Sequence, residues 1–340
     1  MYGIPQSFVD VFRSLYHNSC CCLKTNTGHT GFFEITTGVR QRCILSPVLF
    51  NIALDFVMRK AIKPGEAGIS WDGHGRLTDL DYVDEIALLA ESDRRLQEAT
   101  SRLNQEATKI GLRMSAEKSK VMKIGIEHTP INISVGTTQL EKVTKFTYLG
   151  STVSYDVDID IRTRIAKAAA VIRRLQPLWA TTSISNNIKL RLYLSIVVTT
   201  AIYANETWKM CASTITMING FHLGCMRRIM KIRYVGHVTN EEVLRRSSTT
   251  SLHVIIAQCR LRLAGHILRM PQQRIPHGAV SWIPPNGKRP RGRPRNTWGR
   301  TFANDLKLMN ISREEGEVLA QDRQRWREFV ARCAQQHRKN

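Results

Sequence analysis

Apolar residues recur at two different spacings along the chain, and the change between them divides it. Phe8, Phe12, Leu15 and Tyr16 follow Pro5 at helical spacing and predict a first helix. The runs SCCCLKTN and TGFFEITTG are rich in β-branched and aromatic residues on either side of an Asn/Gly-containing turn, and predict a β-hairpin. In SPVLFNIALDFVMRKAI, Ser46 is the expected N-cap and Pro47 lies in the first turn. Val48, Leu49, Ile52, Ala53, Phe56 and Val57 supply its apolar face. TDLDYVDEIALLAES, residues 78–92, reads as strand, turn, strand. A second amphipathic helix follows from Asp93 to about Ile110, with Leu96, Leu103, Ala107 and Ile110 inward and Gly111 closing it. KVMKIG returns as a strand, and alternation resumes from Ile131, Ile133 and Val135 to Val143, Phe146 and Gly150.

Beyond Asp160 the spacing is helical throughout. Ile161, Ile165, Ala168, Ile172 and Leu175 share one face, and Ile188, Leu192, Ile196 and Thr199 share another. TNEE at 239–242 has the form of a capping box opening a short helix. SWIPPNGKRPRGRPRNTW at 281–298 is too rich in Pro, Gly and Arg for regular structure and reads as a linker or an extended arm. The fold class expected is α+β: a mixed first half, then a helical remainder.

Charge sharpens this division. The chain of 340 residues carries +22, and residues 227–300 hold sixteen Lys or Arg against only Glu241 and Glu242. A surplus concentrated this way suits a polyanion, nucleic acid first and an anionic membrane surface second. No apolar run is long enough to span a bilayer, and the N-terminus lacks a signal-peptide layout, so a membrane role is not expected. The eight cysteines form no spaced disulfide framework, which suits a reducing, intracellular setting, nucleus or cytoplasm. His222 and Cys225, with His237, Cys259 and His266 downstream, match no common zinc spacing; core packing accounts for His222 and Cys225.

Asp84 and Glu85 stand side by side in an apolar run. Neighbouring acids on a strand point to opposite faces, and an unpaired buried carboxylate is costly. They belong either to a turn open to water or to a place where a cation binds. Carboxylates at a hairpin tip can hold hard divalent cations against substrate phosphates. Alone, the tetrad is a weak signal.

Four segments in order make it stronger: GVRQRCILSPVLFNIALDFVMRKAI, LDYVDEIALLAES, GLRMSAEKSKVMKIG and KFTYLGSTVS. Together they resemble the reverse transcriptases of non-long-terminal-repeat (LINE-like, jockey-like) retrotransposons. SISNNIKLRLYLSIVVTTAIYANETW and the basic stretch through GKRPRGRPRNTW resemble the thumb and C-terminal region of the same elements. The resemblance implies a partial palm over 1–155, a helical thumb over 156–210 and a basic helical region over 211–340 with an extended arm at 283–297. It implies an RNA-directed DNA polymerase acting with Mg²⁺ on deoxynucleotide triphosphates, an RNA template and a DNA primer or target. By the same resemblance Asp84 and Glu85 are the metal ligands and Tyr82 supports the primer end. Arg40 and Gln41 contact template or nucleotide, Lys118 or Lys120 lies near the triphosphate, and Phe146, Tyr148, Leu149 and Gly150 hold the primer strand.

Three departures follow. The family's first catalytic aspartate lies upstream of the helix that begins here near Pro5, so the chain is expected to be truncated and inactive alone. Glu85 stands where the family has aspartate, and a displacement of about 1 Å in such a site can cost roughly 10²-fold. Arg42 replaces a glycine. The alternative is a non-catalytic nucleic-acid-binding remnant using Lys288, Arg289, Arg291, Arg293 and Arg295, where Pro290 to Pro294 resembles the core of an AT-hook for narrow A·T minor grooves.

Overall fold

The computed structural model describes residues 2–36, 38–63, 65, 68–70, 75–124, 130–154, 156, 158–281 and 297–339. The chain separates into two compact units. The first comprises Met1–Ile69, Arg76–Val121 and His128–Lys142; the second is chiefly Val143–Asn340. The architecture is α+β, with every sheet among the described residues two-stranded.

In the first unit, α1 (Gln6–Tyr16) leads to β1 (Cys20–Cys21), β2 (Lys24–Thr25), β3 (Gly28–His29) and β4 (Phe33–Glu34). β1 pairs antiparallel with β4 and β2 with β3, giving the expected hairpin. α2 (Ser46–Ala61) packs on α3 (Asp93–Lys109). Between them lies the hairpin β5 (Asp79–Tyr82) and β6 (Glu85–Leu88). Val57, Met58 and Ala61 of α2 and Leu103 and Ala107 of α3 bury a small core, on which Ile86 and Leu88 pack. A second cluster collects Val121, Ile131, Ile133, Val135 and Leu140 from β7 (Lys120–Val121), β8 (Ser134–Val135), β9 (Thr138–Gln139) and β10 (Glu141–Lys142) and their connections. Leu96 of α3 packs against it.

Caps depart from expectation at two places, the first of them at α2. Ser92 caps α3 by accepting from Arg95 N, but Ser46 does not cap α2. Its hydroxyl donates instead to the carbonyl of Arg40 at 2.6 Å, fixing the preceding loop. Val48 and Ile110, expected inward, are exposed because each sits at an end of its helix, beyond the shared core.

The second unit begins with the hairpin β11 (Lys145–Tyr148) and β12 (Ser151–Ser154) and continues with α4 (Asp158–Arg174), α5 (Gln176–Ala180) and α6 (Asn186–Leu192). Residues 193–198 then form a π-helical turn before one more turn of α-helix to Ala201. The apolar face expected here is overturned. Ile188, Ile196 and Thr199 are exposed, and Lys189, Leu190, Tyr193, Val197, Val198 and Ala201 are buried instead. The offset is present before the π turn, where Ile188 is exposed beside buried Lys189 and Leu190, so the apolar face lies about one residue further along than the expected one from its start. Lys189 is almost fully enclosed, and its ammonium donates to the carbonyls of Trp179, at 3.0 Å, and of Thr181, satisfying the end of α5.

α7 (Ala212–Ile229), α8 (Asn240–Arg246) and α9 (Leu252–Leu268) complete the first core of this unit, where His222 and Cys225 are buried. Thr239 caps α8, but Glu242 does not reach back to close a capping box; its carboxylate binds Arg245 and Arg246. α10 (Trp298–Leu308), α11 (Arg313–Gln321) and α12 (Arg323–Lys339) wrap the far half of α9. Gly265 of α9 lies so close to the indole of Trp326 that a Cβ would fall 2.1 Å from its Nε1. All eight cysteines are free, and no described helix is long and apolar enough to cross a membrane.

One ion pair joins this second core. Arg260 of α9 donates to Asp305 of α10 through Nε (2.7 Å) and Nη2 (3.0 Å), and both side chains are buried. His337 of α12 also reaches Asp305, at 3.0 Å. Asp305→Ala should therefore destabilise the protein by about 3–5 kcal/mol in urea denaturation, since it strands a buried guanidinium. Replacing Arg260 and Asp305 together with apolar residues of similar volume should cost much less.

Candidate functional site

The hairpin β5–β6 has an antiparallel register running from Asp79↔Leu88 to Tyr82↔Glu85, with Val83 and Asp84 as its two-residue loop. Facing residues share one side of a hairpin. Asp79 and Asp81 thus lie on the side of Leu88 and Ile86, which rest on the α2–α3 core, whereas Tyr82 and Glu85 lie on the other. Val83 has φ 55°. A β-branched residue in that region is strained, at a cost on the order of 1–3 kcal/mol, and such strain clusters at functional turns. Asp84 follows it at the tip, exposed, with its carboxylate hydrogen-bonded to no described residue.

Sequence reasoning missed Asp79 and Asp81, although their i, i+2 spacing placed them on one face. Partial burial, then the Asp79 carboxylate, push Asp81 up to about 6, while its outer edge stays open to solvent. The apolar support that anchors the hairpin is what partly desolvates Asp81.

The loop before α2 is drawn toward α1. The guanidinium of Arg40 donates to the carbonyl of Leu15 at 2.6 Å and to Ser19 Oγ at 2.9 Å, and stacks over Tyr16 at 5.6 Å from its ring centre. Gln41 is exposed beside it in a turn. Arg42 has φ 60°, which explains the glycine expected there: position 42 needs a left-handed backbone, and glycine adopts it without steric cost.

Of the two candidate lysines, Lys118 is exposed and makes no ion pair with a described residue, whereas Lys120 binds Glu141, its partner in the parallel β7–β10 pair. Phe146, Tyr148, Leu149 and Gly150 belong to β11–β12, which lies in the second unit. Its tip takes positive φ at both Leu149 (48°) and Gly150 (80°), the geometry of a tight two-residue hairpin turn. There the hairpin is clamped by residues the sequence did not single out. Arg164 donates to the carbonyl of Gly150, Tyr203 Oη donates to that of Leu149 at 3.1 Å, and Asp160 accepts from Thr152 N and Trp208 Nε1. Lys288, Arg289, Arg291, Arg293 and Arg295 lie outside the described residues.

Asp84 and Glu85 offer hard oxygen donors of the kind Mg²⁺ takes. Among the described residues, no group of three or more His, Cys, Asp or Glu is placed to hold a metal. The two carboxylates therefore fit a divalent cation in their chemistry.

A hairpin that presents adjacent carboxylates on a strained tip, braced by two helices, is the kind of element on which nucleotidyl-transfer enzymes carry their acids. The family model for reverse transcriptase (RNA-dependent DNA polymerase) matches residues 2–153, a span containing every motif from Arg40 to Gly150. A putative uncharacterized transposon-derived protein of Caenorhabditis elegans is 24% identical over 279 residues, covering 75% of this chain and 96% of that protein. The retrovirus-related Pol polyprotein from a type-2 retrotransposable element of Drosophila melanogaster is 29% identical over 129 residues, 38% of this chain and 12% of the polyprotein. That from the type-1 retrotransposable element R2 of Nasonia vitripennis is 30% identical over 174 residues, 48% and 17% respectively. The matches thus span nearly all of the nematode protein but less than a fifth of either polyprotein. Over residues 2–153 the chain thus matches the reverse transcriptase family, and its relatives are transposon-derived and retrotransposable-element proteins.

Two outcomes test this local reading. A raised Asp81 holds its proton in the folded state where the unfolded chain, at about 3.9, has lost it. Stability should fall as pH rises from about 4 through about 6, and Asp81→Asn should remove that slope in denaturation series across pH. Arg42→Gly should leave stability unchanged or raise it by up to about 1 kcal/mol, because relief of the left-handed strain offsets the extra freedom of glycine in the unfolded chain. Arg42→Val should destabilise; thermal melts separate the two.

Proposed function

We propose that Asp84 and Glu85 are the metal-holding acids of an RNA-directed DNA polymerase, with an RNA template, a DNA primer or target and deoxynucleotide triphosphates as its substrates. The observation that carries this is Asp84: an exposed carboxylate without a described hydrogen-bond partner, at the strained tip of a hairpin inside the matched region. Polymerases of this family generally use divalent metal ions. A bound Mg²⁺ would favour ionisation of the primer 3′-hydroxyl and neutralise charge on the triphosphate.

The remaining roles fall to side chains this chain supplies. Tyr82 lies on the side of Glu85 and is 62% exposed, a surface against which a primer-end sugar can rest. Lys118 is the better of the two lysines for a triphosphate, since Lys120 is held by Glu141. Arg40 acts by fixing the loop that carries Gln41, and Gln41 is left as the contact to template or nucleotide. Phe146, Tyr148, Leu149 and Gly150 form the primer-side hairpin, whose tip the buried Asp160 and Arg164 steady. In this reading residues 1–155 are palm-like, 156–210 thumb-like and 211–340 a basic nucleic-acid-binding region.

The test uses Mn²⁺ as a paramagnetic stand-in for Mg²⁺ and follows backbone amide signals of the full chain. Broadening centred on residues 82–86 in the wild type, abolished by Asp84→Asn, is the expected result. Broadening centred elsewhere, or unchanged in Asp84→Asn, would refute the assignment.

A further inference from the structure

The connection between α7 and α8 does something a connection rarely does: it holds a tyrosine almost wholly in water. Tyr234 is 93% exposed and its neighbour Val235 is 77% exposed. The segment is nonetheless well anchored. Ile232 packs on the first core of the second unit, and Arg227 donates to the carbonyl of Val238 at 2.9 Å. A single 3₁₀ turn, Tyr234–Gly236, is closed by bonds from Gly236 N to Arg233 O and from His237 N to Tyr234 O, each 3.1 Å. Left-handed residues at both ends, Lys231 (φ 56°) and His237 (φ 46°), turn the chain out and back. The result is a preformed protrusion with an aromatic ring at its crest.

Its charge is all of one sign. Residues 227–238 contain Arg227, Arg228, Lys231 and Arg233 and no acid. Arg228 and Arg233 are exposed and form no ion pair with a described residue. Downstream, Glu242 is already taken up by Arg245 and Arg246, at 2.6 and 2.7 Å. At the foot of the protrusion is a cleft of about 330 Å³ lined by Asn186, Asn187, Leu190, Met230, Ile232 and Arg246. Two carboxamides, one guanidinium and a small apolar wall are suited to the edge and face of a base. An exposed ring among unpaired cations is what a flexible polyanion with free π-faces uses, because stacking contributes at every base whatever its sequence. A duplex offers the charge but keeps its bases stacked inside.

We propose that the 227–238 protrusion and its adjoining cleft bind single-stranded nucleic acid, with Tyr234 as the stacking platform for an unpaired base. The site is built wholly from the second unit and needs no metal.

The experiment is fluorescence anisotropy of the full chain in EDTA, so that its result does not depend on Asp84. The probes are a 12-nucleotide single-stranded RNA, the same sequence as single-stranded DNA, and the corresponding duplex; vesicles containing phosphatidylserine form a fourth arm. Tyr234→Ala should weaken single-strand binding by roughly 5- to 150-fold, the loss expected of one stacked base. Tyr234→Phe should stay within about 2-fold of wild type on the same basis, because the ring is kept. The duplex should change little. Arg233→Ala should lower the single-strand salt slope by about 0.7, the value for one released counterion. Tyr234 makes no buried contact, so circular dichroism of the variants should match wild type. An equal loss on duplex and single strand would reduce the site to simple charge attraction. No loss, or a loss seen only with vesicles, would overturn it; the RNA and DNA arms decide which strand it prefers.

Discussion

Left-handed backbone at non-glycine residues is the constraint on which the motif-bearing tips depend. Arg42, Val83 and Leu149 each stand at the turn of a different motif, and each has φ between 48° and 60°. An L-residue adopts that conformation only when its surroundings over-determine it. At residue 42 they are Arg40 and Ser46, tied to α1 and to one another. At residue 83 they are Ile86 and Leu88, seated on α2 and α3. At residue 149 they are Arg164 and Tyr203, which bind the turn's carbonyls. In each case packing a few residues away holds a small polar tip in a shape that its own sequence disfavours.

The two units solve the problem of size differently. The first holds its helices and hairpins by two small clusters, with Phe32, Phe33 and Ile44 left exposed. The second buries Trp179, Tyr193, Phe329 and a series of branched aliphatics, each contributing about 1.5–3 kcal/mol of burial. It encloses charged side chains, where the first, among the described residues, buries only the hydroxyls of Ser46 and Thr100: Lys189, Arg260, Asp305 and Asp160 are all buried with partners. Fine positioning of charge in the first unit is left to solvent-exposed pairs such as Lys120–Glu141, which are worth little each.

Much of this was legible in the sequence because it is local. The strand–turn–strand of residues 79–88, the cap at Thr239 and the helices from α1 to α4 follow from spacing and end signals within a few residues. What escaped reading depends on residues far apart. Ser46 looked like a cap, but the carbonyl of Arg40 competed for its hydroxyl. Asp79 and Asp81 were not singled out, because the core beneath them is built from residues far away in sequence. Asp160 and Arg164 carry no motif, yet they hold Thr152 and Gly150 from more than one turn of helix away. The family resemblance found the tips and could not find their supports.

The π turn at Tyr193–Val198 has a consequence for how this helix tolerates change in length. It holds one residue more than a regular helix would need across the same stretch. Removing any single residue from it would let an unbroken α-helix form, a gain in local regularity. A deletion in a regular helix turns every side chain beyond it by about 100°. Here the surplus residue is absorbed within the turn, so Lys189, which serves α5, and Ala201, which faces α4, would keep their faces. The chain can lose one residue at this place, and not in the regular helix on either side, without re-aiming its core.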